Sequence, residues 1–451
     1  MIRNILLIVV DCLRADHVGC YGYDKPTTPT VDRLAGSGCL WQRAYSASSW
    51  TKPSVASLLT GLYPTQHGAF RGVKRSKISA TSTTDAVRST QPVLAESLSA
   101  GGWRCGAFIN NAQLGSFTRL DRGFSAYAPS AGKADRLIGI FLEWLEANQD
   151  RPTFAYLHFL DTHWPYQPRR RHVAMFGGNR DTNMFRDYSA RDYAKLRQAI
   201  ANDGRTLSNQ ELEQMVQMYD GSIRRVDAKL RIILAMLTEL GLRDETAIFI
   251  TADHGEELLD HGQIGHGQSL HEELTHVPLI AHVPGGPAGI RHADPVSHVD
   301  LAHTIECLAG VDARLSGANL LDSSATPRAA CSELMIGRRY SQVMRSGVWS
   351  MHRRYKIEAK DGDLDARQTP RQWVTGHPHR LKCELYNTAK DPSEQVNRAK
   401  KSRYAETKAT LAEQMDQWWE KIDAETQTGE SSEVEIDALV VQRLRDLGYI
   451  E

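Results

Sequence analysis

The chain contains several apolar runs that stop at or near a polar residue. Residues 5–10 form an uninterrupted apolar run that ends at Asp11, and residues 154–160 form a second, nearly uninterrupted one. Residues 246–250 form a third run, shortly before Asp253. Apolar runs of this length are typical of strands that are buried on both faces of a parallel sheet. We therefore predict that these runs are strands of one central sheet.

Between the apolar runs, apolar residues recur at the spacing of a helix. The longest such segment is residues 209–240, whose apolar positions follow three-and-four spacing and which Gly241 ends. Shorter helices are predicted at residues 30–37, 91–100 and 134–148, and further strands at residues 104–109, 279–283 and 297–300. Strands that alternate with helices predict an α/β fold, with a mostly parallel central sheet and helices on both faces.

The pattern changes near residue 323, where charge rises and the apolar segments become shorter. We predict an α/β catalytic domain at residues 1–322 and a smaller C-terminal α+β subdomain at residues 323–451. In the subdomain we predict a strand at residues 348–357, a hairpin-like turn at 384–397 and a helix at 403–421. Two earlier polar stretches, residues 72–90 and 169–208, are predicted to be a mobile surface loop and an inserted lid.

Composition narrows the classes of partner and the location. Lysine and arginine together number 54, as do aspartate and glutamate, so the net charge of the 451 residues is zero. No strong field directs such a chain to nucleic acid or to an anionic membrane. The seven cysteines are scattered and include no CxxC pair, which favours reduced thiols over a disulfide framework. No apolar window is long enough to span a bilayer, and we expect a cytoplasmic protein.

Polar residues follow several of the predicted strands. Asp11, Asn110, Asp161 and Asp253 all lie just after a predicted strand end. In open parallel sheets, ligands bind beyond the carboxyl ends of the strands. We therefore predict that these four residues share one edge of the sheet and that a single site lies there.

A candidate nucleophile lies in residues 48–61, which read as a loop that turns into a helix. Thr51 is at the start of this helix, Pro53 is in its first turn and Gly61 ends it. A hydroxyl at a helix N-terminus suits an anionic group, or a nucleophile that attacks one. The alternative interpretation of Thr51 is an ordinary helix cap.

Three of the strand-end residues, together with Thr51, have the chemistry of metal ligands. Asp11, Asp253 and His254 supply two carboxylates and one imidazole, and Thr51 supplies a hydroxyl. This mixture suits zinc or manganese, and suits calcium or magnesium less well. A bound metal ion would lower the pKa of the Thr51 hydroxyl and so activate it as a nucleophile.

Five motifs of this chain resemble, in order, those of the sulfatase family, which belongs to the alkaline phosphatase superfamily. They are LIVVDCLRADHVGCYGY, WTKPSVASLLTGLYPTQHG, LDTHWPYQP, ITADHGEELLDHG and GHGQSLHEELTHVPLI. The segments around residues 297–300 and 384–392 also look like later parts of that family, so the resemblance covers nearly the whole chain. It implies an alkaline phosphatase-like fold and a metal-dependent ester hydrolase.

The resemblance also implies roles for single residues. Asp11 corresponds to the first metal aspartate of the family, Asp253 and His254 to its later metal pair, and Thr51 to its nucleophile. His163 looks like a substrate-contacting histidine. His266 stands where many sulfatases keep a lysine that contacts the sulfate and the leaving group. We expect His163 or His266 to protonate the leaving group, aided by Asn110 or its neighbour Asn111.

The chain departs from the sulfatase pattern at the nucleophile. Sulfatases have Cys or Ser there and oxidise it to formylglycine. Thr51 carries a methyl group on its β-carbon, so oxidation would give a ketone and not the aldehyde. Val55 replaces the arginine that usually follows Pro-Ser, and Cys12 replaces a second aspartate. Thr as nucleophile and Asp-His as ligands look like the phosphodiesterase and phosphotransferase branches of the superfamily.

Three hypotheses follow. The first is a metal-dependent hydrolase that uses Thr51 to cleave a phosphate-type ester, namely a diester, a monoester or a phosphonate ester. The second is a sulfatase that works without formylglycine, and the third is a catalytically silent binding protein on the same fold. The expected substrate is a small-molecule, glycan or lipid ester, and the sequence indicates neither nucleic-acid binding nor an oligomeric state.

Overall fold

The computed structural model describes residues 2–75, 82–129, 134–324, 326–357, 365–375, 379–426 and 430–446. Its strands are β1 (Asn4–Val10), β2 (Cys39–Tyr45), β3 (Lys74–Arg75), β4 (Ser82–Asp85), β5 (Arg104–Ile109), β6 (Ala126–Pro129), β7 (Thr153–Phe159), β8 (Thr246–Thr251), β9 (Glu257–Leu258), β10 (Ile264–Gly265), β11 (His276–Val277), β12 (Leu279–His282), β13 (Ile290–Ser297), β14 (Ala330–Ile336), β15 (Arg339–Ser346), β16 (Trp349–Lys356), β17 (His379–Asn387) and β18 (Glu433–Ile436). Its α-helices are α1 (Pro29–Gly36), α2 (Thr51–Thr60), α3 (Pro64–His67), α4 (Leu94–Ala100), α5 (Ala134–Glu146), α6 (Arg170–Ala174), α7 (Ala190–Asn202), α8 (Asn209–Glu239), α9 (Glu272–Thr275), α10 (Val299–Ala309), α11 (Pro370–Thr375), α12 (Ala405–Glu425) and α13 (Ala438–Asp446).

The central sheet is built around β1. Its strand order is β11-β2-β12-β8-β1-β7-β5-β6, with β13 also paired to β2. β1 is parallel to both of its neighbours, β7 and β8, while β11 and β12 run antiparallel to the strands beside them. Every residue of β1, β7 and β8 is buried, which explains their apolar sequences. The predicted α/β fold with a mostly parallel sheet is confirmed.

The helices pack in two groups, as expected for a sheet covered on both faces. α8 contacts α1 and α5, and α10 contacts α2 and α4. The predicted helix at residues 209–240 is α8, which buries one stripe of apolar residues that includes Ile223, Val226 and Leu230. Within the described residues, no helix combines the length and the apolar composition that crossing a bilayer requires.

One predicted strand and one predicted turn differ from the structure. The strand predicted at residues 297–300 is wrong, because β13 ends at Ser297 and α10 begins at Val299. The hairpin-like turn predicted at 384–397 is also wrong in its first part. Residues 384–387 belong to β17, where they pair with residues 349–352 of β16.

A four-stranded antiparallel sheet follows the central sheet in the chain. Its order is β14-β15-β16-β17, and α12 packs against β15 and β16. The predicted strand at residues 348–357 and the helix at 403–421 correspond to β16 and α12. This additional C-terminal sheet agrees with the predicted α+β character of the subdomain, while its boundary at residue 323 stays a prediction.

Residues 72–90 are not a simple loop. β3 and β4 form a small sheet with β18 near the C-terminus of the chain. A buried ion pair anchors it, since Arg71 Nε lies 2.8 Å from Asp85 Oδ2. Lys52 Nζ also donates to the backbone oxygen of Asp85 at 2.6 Å. The loop prediction is therefore wrong for β3 and β4, and residues 76–81 lie outside the described part of the chain.

The residues predicted as an inserted lid contain α6 and α7. α7 packs against β10, in the segment that leads to His266. Its residue Arg197 donates from Nη2 to the backbone oxygen of His266 at 2.9 Å. The segment thus covers one side of the predicted site.

Gly255 lies in the turn after β8, where the structure leaves no room for a larger residue. A Cβ atom at this position would lie 2.0 Å from the backbone oxygen of Glu273. Gly255→Ala should therefore lower the free energy of unfolding by about 1–3 kcal/mol, as overpacking does, and should reduce activity because Asp253 and His254 would shift. Thermal unfolding followed by circular dichroism measures the change.

Gly139→Ala is the matched control for that substitution. Gly139 lies inside α5, and a Cβ atom there meets nothing within 4 Å. Alanine should raise stability at this position by up to about 1 kcal/mol through its higher helix propensity. A Gly255→Ala protein as stable and active as the wild type would contradict the close approach.

Candidate active site

Three strand ends and one helix start bring the predicted site residues together. Asp11 follows β1, Asp253 and His254 follow β8, and Thr51 is the first residue of α2. Asn111 joins them from the segment after β5. The side chains of all five are fully buried, so they form a compact polar site at the carboxyl edge of the sheet.

The imidazole of His254 lies at the centre of this site. Its Nδ1 lies 2.8 Å from the backbone oxygen of Gly255, a carbonyl that can only accept, so Nδ1 carries the proton and the lone pair is on Nε2. Nε2 lies 3.3 Å from Thr51 Oγ1, 3.4 Å from Asp253 Oδ2 and 3.8 Å from Asp11 Oδ1. Three oxygen atoms therefore lie within 3.8 Å of this nitrogen.

These atoms fit a divalent metal ion. Ligand atoms held about 2.1 Å from one ion in tetrahedral geometry lie about 3.4 Å from each other, close to the spacing around His254 Nε2. Asp253 Oδ2 is buried and accepts no hydrogen bond from any described residue, although such atoms are normally paired. Asp253 Oδ1, in contrast, accepts from the backbone N–H groups of Cys12 and His254 at 3.2 Å and 2.9 Å.

The two carboxyl groups are electrostatically coupled. Burial would raise the pKa of Asp11, but the hydrogen bond from His158 holds it well below its usual range. Burial and the negative charge of Asp11 raise the pKa of Asp253. Because both carboxyl groups are buried and close together, a negative charge on one of them disfavours the ionisation of the other. A divalent cation between them would offset that repulsion.

Thr51 does not act as a helix cap. Trp50 is the N-cap residue of α2, and no side chain there makes a capping hydrogen bond. The Thr51 hydroxyl instead lies 3.3 Å from His254 Nε2 and 3.5 Å from Asn111 Nδ2. The interpretation of Thr51 as an ordinary cap is therefore wrong, and the hydroxyl points into the site.

The structure places Asn111, and not Asn110, against the predicted ligands. Asn111 Nδ2 donates to Asp11 Oδ2 at 2.7 Å. Asn110, which the sequence analysis assigned to substrate binding, has a buried Oδ1 without a hydrogen-bond partner among the described residues. Within the described part of the chain, no side-chain hydrogen bond joins Asn110 to Thr51 or Asp11, so its role stays a prediction.

His163 and His266 lie next to each other above the ligand cluster. Their ring centroids are 5.0 Å apart, and the ring of His266 is 4.5 Å from that of His254. His266 Nδ1 lies 3.0 Å from Glu256 Oε1, which holds the ring in one orientation. Burial lowers the pKa of both His163 and His266 and raises the pKa of Glu256 to about 7. The structure thus brings together both predicted leaving-group histidines.

Three residues of the site were missed by the sequence analysis. His158 Nε2 lies 3.0 Å from Asp11 Oδ2, and a lone histidine within an apolar strand was the available signal. Cys12 donates from Sγ to Asp11 Oδ1 at 3.0 Å. The sequence analysis had noted Cys12 only as the replacement of a second aspartate of the family. Glu256 had no signal of its own, because its role depends on the fold of the segment that carries His266.

A cleft leads from the protein surface to His163 and His266. Its volume is about 340 Å³. Aromatic side chains form much of its wall, and Arg197 adds positive charge. The aromatic residues are Trp50, Phe117, Trp164 and Tyr193. The cleft can therefore hold an anionic group at its base and an apolar group towards its mouth.

Comparison with known proteins identifies the family of this chain. The profile of the family described as Sulfatase matches residues 3–311. The chain belongs to the sulfatase family. It is an ester hydrolase of that family, within the alkaline phosphatase superfamily, whose enzymes generally depend on divalent metal ions. The hypothesis of a catalytically silent binding protein is not supported.

Individual sulfatases differ in how much of their length this chain matches. Arylsulfatase A of Homo sapiens is 26% identical over 470 residues, which cover 87% of this chain and 83% of that protein. The ulvan-active sulfatase of Formosa agariphila is 25% identical over 332 residues, which cover 68% of this chain and 52% of that protein. The crystal structure of a phosphonate monoester hydrolase of Agrobacterium radiobacter has a TM-score of 0.70 at 22% identity, covering 93% of this chain and 96% of that chain.

Asp253 tests the metal site directly. Asp253→Ala removes an anionic ligand and should abolish both metal binding and activity, since an incomplete site has too few anionic donors. Elemental analysis of the purified, folded protein measures the metal content. If the metal content does not change, Asp253 is structural and the site has been misplaced.

Asp161→Asn is the matched control, because Asp161 also follows a strand end. Asp161 Oδ1 lies 3.2 Å from Arg225 Nε, so its charge is already paired. The Asp161→Asn protein should keep the metal content of the wild type. A loss equal to that of Asp253→Ala would mean that any strand-end acid affects metal binding indirectly.

Proposed function

We propose that this sulfatase-family chain hydrolyses a phosphate-type ester with the unmodified Thr51 hydroxyl as nucleophile. The observation that supports this is the position of Thr51 Oγ1, which faces His254 Nε2 and Asn111 Nδ2. It stands at the N-terminus of α2, where free backbone N–H groups and the helix dipole favour an anion. The substrate would be a phosphate diester, a phosphate monoester or a phosphonate ester.

The chemistry of threonine favours phosphorus over sulfur as the centre of attack. Attack of Oγ1 on a phosphate ester forms an O–P bond, expels the alcohol and leaves phosphothreonine, which water then hydrolyses at phosphorus. Attack on a sulfate ester would leave a threonine sulfate. A formylglycine hydrate releases sulfate by collapse of a hemiacetal, and Thr51 has no second hydroxyl with which to do the same.

Asp11, Asp253, His254 and Thr51 would hold the metal ion, for which zinc or manganese is favoured over calcium or magnesium. Held there, a divalent ion would lower the pKa of the Thr51 hydroxyl and would offset negative charge on the transferred group. Asn111 keeps the Asp11 carboxylate in place through its 2.7 Å hydrogen bond.

The two histidines that line the cleft can act on the leaving group and on the transferred group. Burial raises the pKa of Glu256 to about 7, and in its protonated form Glu256 donates to His266 Nδ1, so that His266 Nε2 carries the ring proton. As Nε2 gives that proton to the departing alcohol oxygen, Nδ1 takes up the proton of Glu256. His163 lies beside His266 and can contact the transferred group. The aromatic wall of the cleft suits an aryl or lipid alcohol, or the less polar face of a glycan ring. We also propose a cytoplasmic location, which the scattered cysteines favour.

A sulfatase that works without formylglycine is the second candidate, favoured by the sulfatase relatives of this chain. The phosphonate monoester hydrolase whose fold this chain shares supports the first candidate. The two differ in the central atom that Thr51 attacks. They therefore predict opposite orders of reactivity for matched substrates.

A panel of aryl esters that differ only in the anionic group separates the two candidates. Phosphate diesters, phosphate monoesters or phosphonate esters should react with a higher kcat/KM than the aryl sulfate. Thr51→Ala should lower kcat by on the order of a thousandfold or more while keeping the fold. Thr51→Ser is the matched control, because it keeps a hydroxyl at the same position and should retain more activity than alanine.

A wild-type enzyme that cleaves the aryl sulfate well and all the phosphorus esters poorly would contradict the proposal. An intact mass that revealed a modified Thr51 in the purified protein would also contradict it. Full activity of Thr51→Ala would remove Thr51 from the chemistry altogether.

A further inference from the structure

A second group of metal-ligand side chains lies outside the active site. His271, His352 and Glu394 form what we call the junction cluster. Glu394 Oε2 lies 2.9 Å from His271 Nδ1, and Glu394 Oε1 lies 3.1 Å from His352 Nε2. One ligand atom from each of the three residues lies within 4.8 Å of the other two. The cluster shares no residue with the site around Asp11 and Thr51.

The junction cluster connects two separate parts of the fold. His271 immediately precedes α9 in the segment that also carries His266, whereas His352 lies in β16 of the C-terminal sheet. Glu394 comes from the loop after β17. Anything that holds the three side chains together therefore ties the C-terminal sheet to the catalytic part of the chain.

Burial makes the charge of Glu394 costly unless something balances it. Its exposure is 1%, and those of His271 and His352 are 5% and 3%. A buried carboxylate is normally paired with a cation or coordinates a metal ion. Arg345 is the nearby cation, but its guanidinium group hydrogen bonds to other residues. Its partners are Glu272, Thr275 and the backbone oxygen of Leu270.

A third imidazole packs against the cluster from the active-site side of the chain. The ring of His261 stacks on that of His271 with centroids 3.8 Å apart. His261 Nδ1 lies 2.9 Å from Glu273 Oε1, so this ring is held by a carboxylate other than Glu394.

The backbone of Glu394 is held in an unusual conformation. Its φ is +52°, in the left-handed region that residues with a side chain rarely adopt. The backbone oxygen of Glu394 lies 3.3 Å from His261 Nε2. Conformations of this kind persist where the surroundings fix them, often at sites that bind a ligand. Here the conformation points the carboxylate between the two imidazoles.

We propose that His271, His352 and Glu394 bind a divalent transition-metal ion that fastens the C-terminal sheet to the catalytic domain. Two imidazoles and one carboxylate are a donor set that zinc accepts well. The near-complete burial of all three ligands is typical of a structural site and not of a site that takes a substrate. Ser350 Oγ, 3.1 Å from His352 Nε2, lies where a fourth ligand or a bridging water can complete the coordination.

Metal stoichiometry of the full chain tests this proposal. The protein is stripped with a chelator, reconstituted with zinc, desalted and analysed for zinc per chain. The wild type should hold two ions, and Asp253→Ala should lose only the ion of the active site. In the His271→Asn, His352→Gln double variant the amide N–H groups can still donate to Glu394 while the imidazole ligands are gone. It should hold one zinc ion and should melt at a lower temperature than the zinc-loaded wild type.

The outcomes separate this proposal from the proposed function. If the wild type holds one ion and Asp253→Ala holds none, the junction cluster is a hydrogen-bond network without metal, and only this proposal fails. If Asp253→Ala keeps both ions, the active-site assignment fails instead. A double variant that keeps two ions overturns the junction site. If the double variant does not fold, the number of zinc ions bound per chain of Asp253→Ala still tests the junction site. One ion supports the site, and zero ions contradicts it.

Discussion

Two buried carboxylates that follow parallel strands determine much of this structure. Asp11 and Asp253 follow β1 and β8, which are adjacent in the sheet, so ligand atoms of both lie within 4.8 Å of a shared histidine, His158, and of each other. Like charges at this separation in a buried site repel strongly. His158, Asn111 and two backbone N–H groups compensate part of the charge. The remaining charge is what the proposed divalent cation would offset, and the Thr51 hydroxyl lies beside the same carboxylates and imidazole.

The elements with the strongest local pattern were predictable from the sequence. The strands β1, β7 and β8 are buried on both faces and so read as continuous apolar runs, and α8 has an unbroken apolar stripe. Because strand ends of a parallel sheet meet at one edge, Asp11, Asp253 and His254 could be placed together before any coordinates were known. The sulfatase resemblance added His163 and His266, whose positions no periodicity indicates.

The other features depend on contacts between distant segments. Whether Asn110 or Asn111 faces the site depends on the exact residue at which β5 ends. The sequence pattern does not define strand ends to one residue. β3 and β4 are short and polar, and they become strands because β18 pairs with β4 more than 340 residues later. Glu256 and Glu394 gain their roles only from the histidines that the fold brings beside them.

The central claim is that unmodified Thr51 becomes covalently attached to the transferred group during turnover. It is tested most directly by mixing the enzyme with an aryl phosphate monoester, quenching in acid within the first turnover and mapping the peptides by mass spectrometry. The peptide containing Thr51 should gain one phosphoryl group on that residue, and the gain should disappear once substrate is exhausted. An enzyme that turns over the ester while this peptide stays unmodified, or carries the group on another residue, would contradict it.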